Sequence, residues 1–236
     1  MSRQLTILGL GGSTRKDSSA EVLLCKALLK AQEAGMRTDR YLLATNDLPV
    51  FKESLLATPP PAVGELLDKV RQADAFIFCS PVYHGTISGA FKNAIDYFQA
   101  LAVEGRPWLT GKAAGLMAVG GTPMGGANAI SAMDHFCRAL RATTVPTAVI
   151  AGQGFLEEGG TIVNEAVAQH MVRMIQELGS QAWIGANPYV RLVRADGLPG
   201  IDGLVEDRVD RLGEGGAGLV GRNVEEADRV AGQYLL

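Results

Sequence analysis

The chain has 236 residues, a formal net charge of −3 and 47% hydrophobic residues, which suffices for the core of one α/β domain with an appendage. No block of lysine and arginine stands out, so we expect neither nucleic acid nor a membrane surface as a partner, and the apolar runs are too short to span a bilayer. The N-terminus lacks the pattern of a secretion signal, and 3 cysteines without metal-like spacing fit a reducing cytoplasm.

The pattern along the chain alternates short apolar runs with amphipathic segments. A buried strand is predicted over 5–10, followed by a helix that Ser18 or Ser19 caps and that runs to about Glu33. A proline-rich loop is expected over 46–61. Further strands are predicted over 40–43, 75–80, 112–120 and 146–151, and further helices over 62–72, 88–101, 124–141 and 162–184.

Five short buried strands joined by helices predict a parallel sheet with helices on both faces, a three-layer α/β sandwich. Right-handed crossovers make 2-1-3-4-5 the natural strand order, with a ligand at the carboxyl edge between strands one and three. We assign this domain to residues 1–186. Residues 187–236 are rich in glycine, proline and alternating charge, and we expect them to form an extension packed on the core or on a neighbouring subunit.

The loop after the first strand, residues 11–19, has the composition of a phosphate site. It offers the hydroxyls of Ser13, Ser18 and Ser19 and the guanidinium of Arg15 at the positive end of a helix. An ordinary turn with a helix cap is the alternative interpretation. The third glycine of the dinucleotide fingerprint and the lysine of a Walker loop are both missing, so the sequence favours a mononucleotide phosphate.

The loop after the third strand indicates a site for a planar ring. It contains Pro81, Val82, Tyr83, His84 and Gly85, which offer one aromatic side chain and an edge of backbone. Backbone N–H groups there could bind the pyrimidine oxygens of an isoalloxazine. A half-buried loop tyrosine and a histidine in solvent are the alternative interpretations.

A third loop, Gly120-Gly121-Thr122, follows the fourth strand at the same expected edge of the sheet, where glycines allow backbone to approach a ligand. A simple turn before a helix is the alternative. Other chemistry has little support, because the chain has no nucleophile elbow and no metal-ligand spacing among His84, His135 and His170. We therefore predict no metal.

These motifs resemble the NAD(P)H-dependent FMN reductase family over about residues 4–182. The family's phosphate loop is matched by 12–18, its flavin loop by 81–86 followed by Gly89-Ala90-Phe91-Lys92-Asn93, and its third loop by 120–122. Three positions depart from the family pattern: Ala20 and His84 each replace an asparagine, and Val82 replaces a glutamate.

The resemblance implies a flavodoxin-like fold, noncovalent FMN, and NADPH or NADH as the reductant. Ser13, Arg15, Ser18 and Ser19 would hold the phosphate. The ring would be lined by a second set of residues: Pro81, Val82, Tyr83, His84, Gly85, Gly120, Gly121 and Thr122. The resemblance also implies a homodimer or homotetramer that passes electrons to free FMN for a flavin-dependent monooxygenase, or to a quinone, azo or nitro compound.

Two other functions remain open from the sequence. One is a flavodoxin-like electron carrier, although such carriers are usually far more acidic than −3. The other is a biosynthetic flavoenzyme that acts on a specific metabolite, with His84 as the catalytic acid or base.

Overall fold

The computed structural model describes residues 4–186, so the predicted extension over 187–236 lies outside the described residues. The strands are β1 (Thr6–Gly11), β2 (Arg37–Leu42), β3 (Ala75–Tyr83), β4 (Thr86–Ile87), β5 (Ala113–Val119), β6 (Thr143–Thr144) and β7 (Val149–Ala151). The α-helices are α1 (Ser19–Glu33), α2 (Pro61–Gln72), α3 (Gly89–Asp96), α4 (Pro123–Ala139) and α5 (Glu165–Ala186), with 3-10 turns at Glu53–Leu55 and Tyr97–Leu101.

The sheet has the predicted parallel order. Its strands lie in the order β2-β1-β3-β5-β6, β7 also pairs with β5, and all these pairings are parallel. Because β4 is a short antiparallel partner of β3, β5 is the fourth parallel strand along the chain. β6 and β7 pair with successive parts of β5 and together take the fifth place. The order 2-1-3-4-5 is therefore confirmed.

Besides the third strand, which extends to Tyr83, two strands differ by more than one residue from their predicted bounds. The fifth is interrupted at Pro146, which has no N–H to donate, and the neighbouring Thr147 N–H donates instead to the Glu177 carboxylate at 2.8 Å. The second begins at Arg37 and not at Arg40. Its first residues lie at the sheet edge and are mostly exposed, so the apolar pattern reveals only its buried end.

Two helices also differ clearly from their predicted bounds. The first α-helix after β3 ends at Asp96 and continues as a 3-10 turn to Leu101, within the span predicted as one helix. The last helix begins at Glu165, because Ile162 forms an isolated bridge with Leu156 before the helix starts. These are differences in detail and leave the alternation of strands and helices unchanged.

Side chains of β3 divide the core into two layers. Phe76 and Phe78 point into the layer under α2, α3 and α4, whereas Ile77 and Cys79 point into the layer under α1 and α5. All four are fully buried. Because both faces of this central strand are buried, its residues 75–79 are all apolar, and this continuous apolar run made β3 easy to predict from the sequence.

Within residues 4–186, no helix is long and apolar enough to cross a membrane.

Candidate functional site

The three predicted loops meet at the carboxyl edge of the sheet. They follow β1, β3 and β5, and β3 is paired directly with both of the other strands. The register sets Gly11 beside Cys79 and Pro81 beside Val119. Adjacent parallel strands end at the same edge, so the loops 12–18, 81–87 and 120–122 lie side by side.

The loop after β1 has two buried serine hydroxyls and two exposed cations, Arg15 and Lys16. Ser18 is the N-cap of α1, and its buried hydroxyl accepts the Glu21 N–H at 3.2 Å. The buried Ser13 hydroxyl accepts the Arg15 N–H at 3.1 Å. The Arg15 side chain is exposed, and within residues 4–186 it forms no ion pair. A helix N-terminus with an available guanidinium suits a doubly charged phosphate.

The cap and the phosphate interpretations of this loop are both compatible with the structure. The Ser18 hydroxyl serves the first turn of α1, as an ordinary cap would. Ser19 is the first helical residue and is half-buried. Glu21 also accepts the Asp17 N–H at 3.1 Å, so one acidic side chain already lies at this helix end.

The loop after β3 is a tight hairpin and not an irregular loop. Strand β3 continues to Tyr83, where Val82 pairs with Ile87 and Tyr83 pairs with Thr86. The two turn residues between the strands, His84 and Gly85, have φ of 51° and 84°. Two positive φ values are the mark of the type I′ turn that joins closely paired strands.

This turn gives His84 a conformational role. Histidine adopts positive φ more readily than most residues, so it fits this position of the turn. The His84 ring is exposed, and among the described residues it makes no side-chain hydrogen bond. The Tyr83 side chain is 51% exposed and stands beside it on the same hairpin.

The loop after β5 lies against that hairpin. A Cβ atom on Gly120 would lie 2.8 Å from the Val82 Cβ, and a Cβ on Gly125 would lie 3.9 Å from the Gly85 Cα. The Thr122 hydroxyl accepts the Gly125 N–H at 3.2 Å and begins α4. Gly121 and Thr122 remain exposed at the rim.

A cleft of about 450 Å³ lies beside the phosphate loop, and the sequence did not reveal it. Thr14 lines it together with the segment 43–50 and the first turns of α3. Asn93 holds that segment in place, because its amide donates to the Pro49 carbonyl at 2.9 Å and accepts the Phe51 N–H at 2.8 Å. The Gly-x-x-Lys-Asn motif was the available signal for Asn93.

Groups with shifted pKa values lie outside these three loops in the part of the chain that the structure describes. Burial raises the pKa of the Cys79 thiol, which points into the core. Burial and the nearby Glu65 raise the pKa of Tyr41. Hydrogen bonds from Arg138 and Thr144 lower the pKa of Asp134. The loops therefore offer hydrogen bonds, two exposed cations and apolar surface, which suit binding and orientation. No cluster of metal-ligating side chains occurs among residues 4–186.

Comparison with known structures agrees with this architecture. FerB, a flavoenzyme NAD(P)H:(acceptor) oxidoreductase from Paracoccus denitrificans, superposes with a TM-score of 0.62 at 25% identity, over 76% of this chain and 97% of FerB. A WrbA-like flavodoxin from Agrobacterium tumefaciens superposes with a TM-score of 0.52 at 14% identity, over 77% of this chain and 99% of that protein. The predicted flavodoxin-like fold is confirmed.

Sequence comparison identifies related enzymes. The chain is 30% identical to the NADPH-dependent FMN reductase ArsH of Acidithiobacillus ferrooxidans, over 73% of this chain and 71% of ArsH. It is 30% identical to the NADPH azoreductase of Bacillus sp. strain OY1-2 over 50% of this chain, an alignment that spans 64% of the azoreductase.

The family profile described as NADPH-dependent FMN reductase matches residues 5–155, which include all three loops. This match confirms the prediction of a flavin oxidoreductase that uses FMN and NAD(P)H. The chain belongs to the NADPH-dependent FMN reductase family.

Proposed function

We propose that the three loops at the carboxyl edge form one FMN site, from which electrons of NAD(P)H pass to a small acceptor. When bound, FMN supplies the redox chemistry by accepting hydride from NAD(P)H and reducing the acceptor. The observation that carries the proposal is the convergence of the loops after β1, β3 and β5 on one edge of the sheet.

The loop after β1 would hold the phosphate. Arg15 would form charge-assisted hydrogen bonds with the phosphate, and the N-terminus of α1 adds a favourable field. Ser13, Ser18 and Ser19 would supply hydroxyls. Because Ser13 and Ser18 are buried, we expect the surrounding packing to fix their positions before a ligand binds.

The hairpin and the loop after β5 would hold the ring. Pro81 is buried at the end of β3 and would support the hairpin from below. Tyr83 would offer its half-exposed face. Backbone N–H groups of the hairpin and of the third loop would donate to the ring's polar edge. The complete set of proposed ring residues is Pro81, Val82, Tyr83, His84, Gly85, Gly120, Gly121 and Thr122.

The acceptor class follows from the exposed ring site and from the named relatives. Quinones, azo compounds and nitro compounds are planar and would stack on an accessible flavin face. Relatives named as an azoreductase and as a quinone reductase support this choice. A role for His84 as an acid or base with a specific metabolite is a second candidate, favoured by its exposed ring at the hairpin tip.

Three further expectations belong to this proposal. The protein would act as a homodimer or homotetramer. It could deliver reduced FMN to a flavin-dependent monooxygenase. It would work in the cytoplasm, where Cys25, Cys79 and Cys137, which are unpaired in the structure, would stay reduced.

The experiment is an anaerobic absorbance spectrum of the protein with one equivalent of FMN, before and after NADPH or NADH is added. The proposal expects the oxidised flavin band to disappear within seconds and to return when a quinone is added. A bound flavin that both nucleotides leave oxidised would contradict the reductase assignment and favour an electron carrier. Failure to bind FMN would contradict the site itself.

A further inference from the structure

A buried hydroxyl joins the two loops that are proposed to hold opposite ends of FMN. The Ser88 hydroxyl donates to the Gly12 carbonyl at 2.6 Å and accepts the Phe91 N–H at 3.1 Å. Gly12 begins the phosphate loop, and Ser88 closes the hairpin loop and caps α3. Ser88 is only 2% exposed, so water does not compete for these bonds.

A second hydroxyl fixes Ser88 in turn. The Ser80 hydroxyl accepts the Ser88 N–H at 3.0 Å and donates to the Pro81 carbonyl at 2.9 Å. Ser80 is fully buried. Both hydroxyl protons are therefore committed: the Ser80 hydroxyl links the two sides of the hairpin, and the Ser88 hydroxyl links the phosphate loop to the first turn of α3.

Gly12 is held from its other side as well. Its N–H donates to the Cys79 carbonyl at 2.8 Å, so both backbone polar groups of Gly12 bond to the segment that carries the hairpin. A Cβ on Gly12 would lie 2.7 Å from the Phe91 ring, which shows how closely α3 packs on this loop. The phosphate loop and the hairpin thus form one connected unit.

We propose that Ser88 is a positioning residue that fixes the phosphate loop relative to the hairpin, so that one FMN can engage both at once. This inference rests on the proposed FMN site. A ligand with two ends gains from both subsites only when their separation matches its own length, because the second contact is then nearly intramolecular. Loss of the hydrogen bond from Ser88 to Gly12 should therefore weaken the binding of FMN more than the binding of riboflavin, which lacks the phosphate.

A helix cap alone would predict a different result. Capping requires only that Ser88 accept the Phe91 N–H, whereas the link also requires a donor to the Gly12 carbonyl. Glycine is a good N-cap residue but has no hydroxyl, so Ser88→Gly keeps most of the capping and removes the donor. Ser88→Thr keeps both.

The test compares dissociation constants for FMN and riboflavin, read by quenching of flavin fluorescence below the unfolding temperature of every variant. For Ser88→Ala and Ser88→Gly we expect the ratio of riboflavin to FMN dissociation constants to fall about tenfold, the loss expected for one buried hydrogen bond. Riboflavin affinity itself should change less than about twofold. Ser88→Thr should keep the ratio of the unchanged protein.

Asn164→Ala is the matched control, because Asn164 accepts the Val167 N–H at 3.1 Å in the first turn of α5, outside the three loops. It should lower the unfolding temperature and leave the ratio unchanged. The inference is overturned if Ser88→Gly keeps the ratio, or if Asn164→Ala lowers it equally. If the unchanged protein binds riboflavin and FMN equally well, the proposed phosphate site is wrong. If it binds neither, the proposed function is wrong.

Discussion

The side chain of Val82 packs directly on the backbone of Gly120, where the hairpin after β3 meets the loop after β5. A Cβ atom at Gly120 would lie 2.8 Å from both Cβ and Cγ2 of Val82. Two of the three loops of the proposed site are therefore in direct contact, with the Val82 side chain against the Gly120 backbone. The valine side chain supplies the apolar surface for this contact.

Gly120→Ala should separate these two loops. We expect it to lower the free energy of unfolding by about 1–3 kcal/mol, as overpacking does, and to weaken FMN binding. Gly64→Ala is the control, since a Cβ there meets nothing within 4 Å and alanine favours helix α2. Chemical denaturation and a flavin titration would check both. Equal free energies of unfolding for the two variants would contradict this prediction and show that the hairpin can move to accommodate a Cβ at Gly120.

Arg15→Ala should weaken the binding of the FMN phosphate without affecting the binding of the flavin ring. Loss of one charge-assisted hydrogen bond predicts FMN binding about 10- to 100-fold weaker, with riboflavin binding unchanged. Lys16→Ala removes the neighbouring exposed cation and should have a smaller effect. Titrations at low and high salt would detect the lost interaction as a reduced salt dependence. The same loss of affinity for riboflavin would place Arg15 elsewhere in the site.

Substitutions of His84 can distinguish a role of this residue in the turn conformation from a role of its imidazole in catalysis. Because φ is 51° at this position, His84→Asn should keep the unfolding temperature, whereas His84→Ala should lower stability by about 1 kcal/mol. We expect His84→Asn to oxidise NADPH with a quinone at the normal rate. If turnover with any acceptor depends on the imidazole, that rate will fall in both variants although His84→Asn remains stable.

Asp134 should contribute to stability against acid. Its pKa is lowered by hydrogen bonds from Arg138 at 2.7 Å, within α4, and from Thr144 at 2.6 Å, and the Thr144 bond ties α4 to β6. A lowered pKa means that the stabilisation is present above the unfolded pKa of about 3.9 and is lost as pH falls through the lower folded value. Asp134→Asn should therefore reduce stability at pH 7 and flatten the acid side of the stability curve.

Thermal unfolding between pH 2 and pH 7 would check this expectation. Asp68→Asn is the comparison, because Asp68 pairs with Arg71 at 2.8 Å but is 68% exposed. Its effect at pH 7 should be smaller, since exposed ion pairs contribute little. An unchanged acid limb in Asp134→Asn would show that this carboxylate does not control acid unfolding.

Much of the architecture was predictable because its signals are local. Buried strands such as β3 appear as apolar runs, and Ser18 marks the start of α1 through a cap that spans only three residues. Strand order follows from the handedness of crossovers, and it places the loops after β1, β3 and β5 on one edge. Both the fold and the location of the candidate site were therefore accessible from the sequence.

The contacts that shape the site were decided by tertiary structure. The bond from Ser88 to Gly12 joins residues 76 positions apart, and Asn93 reaches back 44 positions to Pro49. Neither pairing can be read from local patterns, because Ser88 alone indicates only a helix cap and Asn93 alone only a polar helical residue. The sequence by itself determined the strands, helices and loop chemistry, which depend on neighbours along the chain. Only the folded backbone decided which loops are bonded together and how closely they pack.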